Sequence, residues 1–215
     1  MKKDYIFFDF DGTLVDTSSG IFDSLNYSFE KMGEPILSES DMRKYIGPPL
    51  LWSFMNYNNM DEARANETVD HFHVNYRARG VNMHSLYNGV EEMLCALHKK
   101  GKIIVLATSK PEDFAVKILK DYDLYKYFDF ISGATFDGKR SSKKEVLIHA
   151  LELCKPDDLG KCVLVGDTEN DAVGARQVGI DCVGVLYGFG KDEQLKKAGA
   201  VKTVASAMDV VNLFD

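Results

Sequence analysis

The sequence YIFFDFDGTLVDT at residues 5–17 decides the fold, because it joins a buried strand to a pair of carboxylates. The apolar run at residues 5–8 is rich in aromatic and β-branched side chains and is typical of a short strand covered on both faces. Asp9 and Asp11 follow at its end and, being two residues apart in extended chain, point roughly the same way. Gly12 then allows the backbone to turn sharply.

The two carboxylates have two possible explanations. Like charges held a few ångströms apart are unfavourable unless a cation or a shared proton relieves them, so the pair indicates chemistry. Alternatively, Asp11 and Gly12 simply form a turn after the strand. A D-x-D-G motif alone favours the turn, because short motifs often match by chance. The choice therefore depends on the rest of the chain.

Composition restricts the class of function. The 215 residues carry a formal net charge of -7, and 45% are hydrophobic, as in an ordinary globular protein. The acidic balance argues against nucleic acid as a partner, but not against a small anion held by local cations. No apolar run approaches the roughly 20 residues of a membrane span and no signal peptide is visible, so we expect a cytoplasmic protein without a membrane partner. The four cysteines lack C-x-x-C spacing and are expected to be buried free thiols.

Residues 18–80 carry only helical signals. Apolar residues recur at helical spacing between residues 18 and 32. Three more helices are predicted to open at Ser38, Leu50 and Asp61. We expect this stretch to be a small all-helical unit inserted after the first strand.

From residue 87 onward, strands and helices alternate. Further strands are predicted at residues 103–107, 128–131, 162–165, 182–186 and 200–204, each separated from the next by a helical pattern. Such alternation implies an α/β fold, a doubly wound and mostly parallel Rossmann-like sheet with helices on both faces. We assign residues 1–16 and 83–215 to this core and residues 17–82 to a helical cap domain.

Polar residues suited to phosphate chemistry follow the strongest strands. Besides Asp9 and Asp11, they are Thr108, Ser109, Lys143, Asp167 and Asp171. Each has an ordinary explanation by itself: the hydroxyls as helix caps, the lysine as a solvated side chain and the aspartates as turn formers. Ligands bind at the carboxyl ends of parallel strands. Because all these polar residues follow strands in this order, the sequence predicts that they form one site.

The combined motifs resemble a known family. The sequence is similar to the haloacid dehalogenase superfamily in its series of motifs. These are D-x-D-G-T-L-V-D-T, an apolar strand that runs into T-S-K-P, a lysine, and G-D-T-x-x-D. The resemblance is to its phosphatase branch with a helical cap, including phosphoglycolate-phosphatase-like proteins, and it covers nearly the whole chain.

The resemblance implies a role for each matching residue. Asp9 would be the nucleophile that forms an aspartyl-phosphate, and Asp11 the general acid and then the base. Thr108 and Lys143 would complete the catalytic set by holding the phosphoryl group. Mg²⁺ would be the cofactor, held by the metal-binding set Asp9, Asp11 (through its backbone carbonyl), Asp167 and Asp171. The phosphoryl oxygens would also meet the residues Phe10, Gly12, Thr13 and Ser109.

Three assignments stay open. Lys143 is preferred to its neighbour Lys144 by placement only, since the Lys-Pro pair of many relatives is Lys143-Lys144 here. Glu169 is an alternative to one of the aspartates around the metal. In the helical insert, which we expect to close over the strand ends and exclude water, the leading candidates for substrate contact are Arg43, Lys44 and Gly47, although a surface pair and a helix stop explain them equally well.

The function predicted is a Mg²⁺-dependent phosphatase for a small soluble phosphate ester. Phosphoglycolate is the first candidate, followed by a nucleotide or pyrophosphate. A sugar phosphomutase of the β-phosphoglucomutase kind is the alternative enzyme, and a phosphate-binding module without turnover is the alternative outside enzymology. Asp11 favours phosphoryl transfer over dehalogenation, because expelling an alkoxide needs an acid. The sequence does not indicate an oligomeric state.

Overall fold

The computed structural model describes residues 1–214 and divides into two compact units. One unit contains Met1–Val15 together with the chain from Leu86 onward, and the other is Asp16–Ser85. Among the described residues, no helix combines the length and the apolar character that crossing a membrane would require.

The first unit is built on a parallel sheet. In chain order the strands of the protein are β1 (Tyr5–Phe8), β2 (Val15–Asp16), β3 (Ser85–Leu86), β4 (Ile103–Pro111), β5 (Phe130–Ala134), β6 (Cys162–Gly166), β7 (Asp181–Val185) and β8 (Lys202–Val204). Six of them form one sheet in the order β5-β4-β1-β6-β7-β8, and every neighbouring pair is parallel. This confirms the predicted α/β class. The two-residue strands β2 and β3, which pair with each other, were not predicted because they are too short to carry a periodic signal.

The register of the sheet aligns the strand ends. Phe8 lies beside Leu106 of β4 and beside Val165 of β6, so these three strands reach their carboxyl ends at the same edge. The middle residues of β1 are completely buried, as its apolar run predicts. Since β1 lies between β4 and β6, the residues that follow it enter the centre of that edge.

Helices cover the sheet. Those of the first unit are α5 (Val90–Lys99), α6 (Glu112–Asp121), α7 (Lys143–Cys154), α8 (Glu169–Val178), α9 (Asp192–Ala198) and α10 (Ala207–Val211). Leu147 and Ala150 of α7 and Ala172 and Ala175 of α8 share one buried cluster with Phe7 of β1. This packing places the N-terminal ends of α7 and α8 in the same part of the unit as the strand ends.

The second unit is helical, as predicted. Its helices are α1 (Ser18–Met32), α2 (Glu39–Met42), α3 (Leu50–Tyr57) and α4 (Glu62–Ala78). The single helix predicted from Ser38 to near Gly47 is instead α2 followed by a short 3₁₀ helix, Arg43–Tyr45. Phe29, Tyr45 and Phe54 meet with ring centroids 5.7–6.0 Å apart and form the aromatic core of this unit.

The strand β4 is longer than the sequence predicts. The sequence pattern predicts that this strand, β4, ends at residue 107, whereas the strand continues to Pro111. Its pairing with β5 changes register between Ala107 and Pro111, which is a bulge-like irregularity. Irregular pairing of this kind redirects side chains and is common beside functional sites. The T-S-K-P motif, residues 108–111, forms this irregular end of β4.

Candidate active site

Asp9 and Asp11 follow β1 at the centre of the sheet edge. The backbone N–H of Asp9 still donates to the carbonyl of Val165 at 2.9 Å, so the strand geometry extends one residue beyond β1. Asp9 is buried and Asp11 is partly exposed. Gly12 has a φ of 84°, where glycine is favoured. A Cβ atom on Gly12 would lie 2.2 Å from Oδ2 of Asp167, so glycine also permits the close approach of two strand ends.

Three buried carboxylates converge here. Asp9, Asp167 and Asp171 each offer an oxygen, and these oxygens lie within 4.8 Å of one another. The ammonium of Lys143 is 2.6 Å from Oδ1 of Asp9 and 2.8 Å from Oδ1 of Asp171. One ammonium among three carboxylates leaves two negative charges of this group uncompensated. Buried carboxylate oxygens with such an excess of charge are the ligands that a hard divalent cation prefers.

The pKa values reflect the burial of these groups first and the excess of negative charge second. Burial, reinforced by the Asp171 carboxylate, raises the pKa of Asp9 to about 7 even though Lys143 opposes the shift. Burial, followed by the charges of Asp171 and Asp9, holds the pKa of Asp167 well above its usual value. Burial alone would lower the pKa of Lys143, but Asp171 and Asp9 outweigh it and raise that pKa. A divalent cation would relieve the repulsion between the carboxylates, so the residues present fit such an ion.

Local structure explains why Lys143 reaches the carboxylates. It is the first residue of α7, whose start is fixed by a capping box between Ser142 and Glu145. A Cβ atom on Gly174 of α8 would lie 2.5 Å from Cγ of Lys143, so this glycine leaves room for the lysine stem. Lys144 is exposed to solvent. Of the two lysines left open by the sequence, it is Lys143 that contacts the carboxylate cluster.

A loop for which the sequence predicts no functional role holds Asp167. In this loop, residues 187–190 (Tyr-Gly-Phe-Gly), the N–H of Phe189 donates to Oδ2 of Asp167 at 2.7 Å. The Thr13 hydroxyl donates to Oδ1 of the same carboxylate at 3.2 Å, and the Tyr187 hydroxyl donates to the Thr13 carbonyl at 2.9 Å. Both oxygens of Asp167 are thereby oriented. The available signal was the Gly-Phe-Gly sequence, since paired glycines allow backbone to approach closely.

We expect Gly190→Ala to disturb this arrangement. The added Cβ would lie 1.9 Å from the carbonyl oxygen of Asp167, a backbone atom that cannot easily yield, so the loop must shift and release Asp167. We predict that Asp167 is a metal ligand, and losing a group that orients such a ligand typically weakens metal binding by about 10- to 100-fold. Calorimetric titration of the purified variant with Mg²⁺ measures this loss.

Gly101→Ala is the control for that experiment. Gly101 has a φ of 71° and no atom within 4 Å of a built Cβ, so the substitution adds backbone strain without a clash at the site. It should lower stability by about 1 kcal/mol and leave Mg²⁺ affinity unchanged. Unchanged Mg²⁺ affinity in Gly190→Ala would contradict the role given to the 187–190 loop.

Thr108 and Ser109 lie in the irregular end of β4. Thr108 is buried, and its hydroxyl oxygen accepts a hydrogen bond from the N–H of Lys110 at 3.1 Å. The hydroxyl of Ser109 is buried and has no hydrogen-bond partner within residues 1–214. A buried hydroxyl without a partner has a donor available for the oxygen of an incoming anion.

Asp11 has a cationic neighbour of its own. The ammonium of Lys110 lies 3.0 Å from Oδ1 and 3.4 Å from Oδ2 of Asp11. Lys110 belongs to the T-S-K-P motif, but the sequence pattern predicts no role for it. The two carboxylates after β1 thus contact different lysines, Asp9 with Lys143 and Asp11 with Lys110.

The remaining candidates are distributed as follows. Phe10, which lies between Asp9 and Asp11 in the sequence, is completely buried. Glu169 is exposed and is not part of the carboxylate cluster. Arg43, Lys44 and Gly47 belong to the helical unit, where the Lys44 ammonium lies over the ring of Tyr57 at 4.9 Å from its centroid. Their contact with a substrate stays a prediction.

Comparison with known proteins identifies a family. Residues 6–185 match the family model described as haloacid dehalogenase-like hydrolase. A 5'-nucleotidase from Pseudomonas aeruginosa is 37% identical over 195 residues, covering 89% of this chain and 86% of the relative. The tyrosine-protein kinase PtkA from Mycobacterium tuberculosis is 35% identical, covering 95% of this chain and 69% of the relative. Phosphoglycolate phosphatases are also among the relatives.

A solved structure shares the fold. A crystal structure described as a "predicted phosphatase from Clostridium acetobutylicum" superposes with a TM-score of 0.95 at 38% sequence identity. The match covers 99% of this chain and 98% of that one.

Proposed function

Because this chain belongs to the haloacid dehalogenase-like hydrolase family, we propose that it hydrolyses a small phosphate monoester through a phosphoenzyme on Asp9. The observation that carries the proposal is the different placement of the two carboxylates. Asp9 is buried in the carboxylate cluster beside Lys143, as suits a nucleophile, while Asp11 lies outside that cluster and is partly exposed, as suits a group that meets the leaving group.

In the first step, an oxygen of Asp9 attacks phosphorus and the bond from phosphorus to the leaving oxygen breaks. Asp11 gives its proton to that oxygen, so an alcohol leaves. Proton transfer of this kind is typically worth about 10²–10⁴-fold in rate. In the second step, water attacks the phosphorus, Asp11 accepts a proton from it, and the electron pair of the broken bond returns to the Asp9 carboxylate.

Positive charge is needed because an anionic substrate approaches an anionic nucleophile. Asp9, Asp167 and Asp171, with the backbone carbonyl of Asp11, would hold Mg²⁺. When bound, this ion supplies charge that offsets the repulsion between the phosphate and Asp9. Lys143 supplies a fixed charge beside Asp9, and the Ser109 hydroxyl has a donor for a phosphoryl oxygen.

We propose nucleotides as the first candidate substrates. The motif resemblance put phosphoglycolate first, but the 5'-nucleotidase relative is 37% identical, against 30% for a phosphoglycolate phosphatase. Nucleoside 5'-monophosphates therefore head the panel that we propose, with phosphoglycolate and pyrophosphate next. The experiment is release of inorganic phosphate from each ester with Mg²⁺, and no release from any member would contradict the proposal.

Asp11→Asn tests the division of labour. We expect the variant to lose about 10²–10⁴-fold in kcat/KM on an alkyl phosphate, whose leaving group needs a proton. The loss on p-nitrophenyl phosphate should be much smaller, because its leaving group departs without one. Equal losses on the two substrates would show that Asp11 is not the acid.

The PtkA relative supports a second candidate, transfer of the phosphoryl group to a protein tyrosine. The tyrosine hydroxyl would then replace water in the second step. Incubation with γ-labelled ATP and a tyrosine-containing peptide separates the candidates, since hydrolysis gives labelled phosphate and transfer gives labelled peptide.

A further inference from the structure

Lys110 is a buried cation paired with the carboxylate of Asp11. Its side chain is 4% exposed and that of Asp11 is 13% exposed, so the ion pair between them is largely removed from water. Burying an ammonium is costly unless a well-placed partner compensates for it. The partner is a carboxylate with a proposed part in the chemistry, and both of its oxygens lie within 3.4 Å of the ammonium.

The backbone explains how Lys110 reaches this position. It lies where the pairing of β4 with β5 changes register, and its N–H is tied to the hydroxyl of Thr108. Its ammonium also lies over the ring of Phe10, 5.9 Å from the centroid. The lysine is therefore held at both ends, by the irregular strand end and by the residues that follow β1.

We propose that Lys110 is a positioning residue that holds the Asp11 carboxylate in place to accept the proton of the attacking water. This rests on the proposed function, in which a phosphoenzyme on Asp9 is hydrolysed. The oxygen of water forms a bond to phosphorus, the bond from phosphorus to Asp9 breaks, and the proton of water passes to Asp11. A carboxylate hydrogen-bonded through both oxygens to a buried ammonium has little freedom to turn, and misplacing a reacting group by about 1 Å can cost about 10²-fold in rate.

The main alternative is that the ion pair only stabilises the fold. A purely structural pair would affect the two steps of the reaction alike, or would affect neither. A positioning role in the second step slows hydrolysis of the phosphoenzyme more than its formation. The two explanations therefore differ in a kinetic pattern as well as in total activity.

The experiment uses the full chain with Mg²⁺ and p-nitrophenyl phosphate, whose leaving group needs no proton. We expect Lys110→Met to lower kcat at least about tenfold, to change kcat/KM by less than about threefold, and to produce a burst of p-nitrophenol as phosphoenzyme accumulates. Lys110→Arg keeps the positive charge and should lose less kcat than Lys110→Met. Unchanged kcat, equal losses in kcat and kcat/KM, or equal losses in the two variants would each overturn the proposal.

Two further variants make the outcome specific. Lys117→Met removes a lysine from a Lys–Asp pair on the surface of α6, 2.7 Å from Asp121, and should leave both constants unchanged. Asp11→Asn should give the same burst as Lys110→Met. A burst in Asp11→Asn without one in Lys110→Met overturns the role of Lys110 alone. Failure to detect any phosphoenzyme in either variant overturns the proposed function, and the role of Lys110 with it.

Discussion

Asp9→Asn should abolish phosphate release, leaving less than about one thousandth of the activity of the unaltered protein, because the amide cannot attack phosphorus. No phosphoenzyme should form with any substrate. The exposed Asp4 gives a matched control, since Asp4→Asn makes the same chemical change at the surface and should keep full activity. Activity above a few per cent in Asp9→Asn would contradict the nucleophile assignment.

The same substitution should stabilise the metal-free protein. In the folded state the pKa of Asp9 is raised to about 7, from an ordinary value of 3.8. A carboxyl group with a raised pKa lowers the free energy of unfolding once it ionises, so the penalty is absent below about pH 4 and complete above about pH 7. We therefore expect Asp9→Asn to raise the melting temperature at about pH 8, and the increase to shrink as the pH falls. A lower melting temperature at pH 8 would show that Asp9 is not under electrostatic strain.

The fold was largely predictable because it depends on hydrophobic periodicity. An apolar run precedes Asp9, and apolar strands alternate with helical patterns after residue 87. Both features are compatible with a parallel sheet covered by helices. The helices of the 18–80 stretch were predictable for the same reason. Details that depend on short-range irregularity were not predictable. The extension of β4 through Lys110 is the clearest case, because no periodicity distinguishes a bulged strand end from a loop.

The candidate site was predictable where residue type and strand position coincide. Asp9, Asp167 and Asp171 follow buried strands in a parallel sheet, and the structure brings their oxygens together. Lys110 and the 187–190 loop could not be found in this way. A lysine in a turn-like sequence is ordinarily solvated, and the hydrogen bond from Phe189 to Asp167 comes from the backbone, which carries no residue signature.

Lys143→Met should lose activity by at least about 10²- to 10³-fold, because the ammonium beside Asp9 is a fixed charge for the transferred phosphoryl group. Lys144 supplies a control at the next position. It is exposed, so Lys144→Met should keep nearly all activity. A large loss in Lys144→Met with retention in Lys143→Met would reverse the assignment.

Lys143→Met should also destabilise the metal-free protein, which is the opposite of the effect expected for Asp9→Asn. Removing the ammonium of Lys143 from among three buried carboxylates leaves their repulsion uncompensated, and breaking a buried ion pair typically costs about 3–5 kcal/mol. The melting temperature of Lys143→Met at about pH 8 should therefore be lower than that of the unaltered protein, and the difference should narrow at lower pH as the carboxyl groups take up protons.

The double variant Asp9→Asn with Lys143→Met separates stability from catalysis. Removing the Asp9 charge relieves part of the repulsion that Lys143→Met exposes, so the double variant should melt at a higher temperature than Lys143→Met alone. Its activity should stay at the level of Asp9→Asn, because the nucleophile is absent in both. If the double variant melted no higher than Lys143→Met, the charges of Asp9 and Lys143 would not be coupled in the folded protein. The ion pair between Nζ of Lys143 and Oδ1 of Asp9, 2.6 Å apart, would then make no contribution to stability.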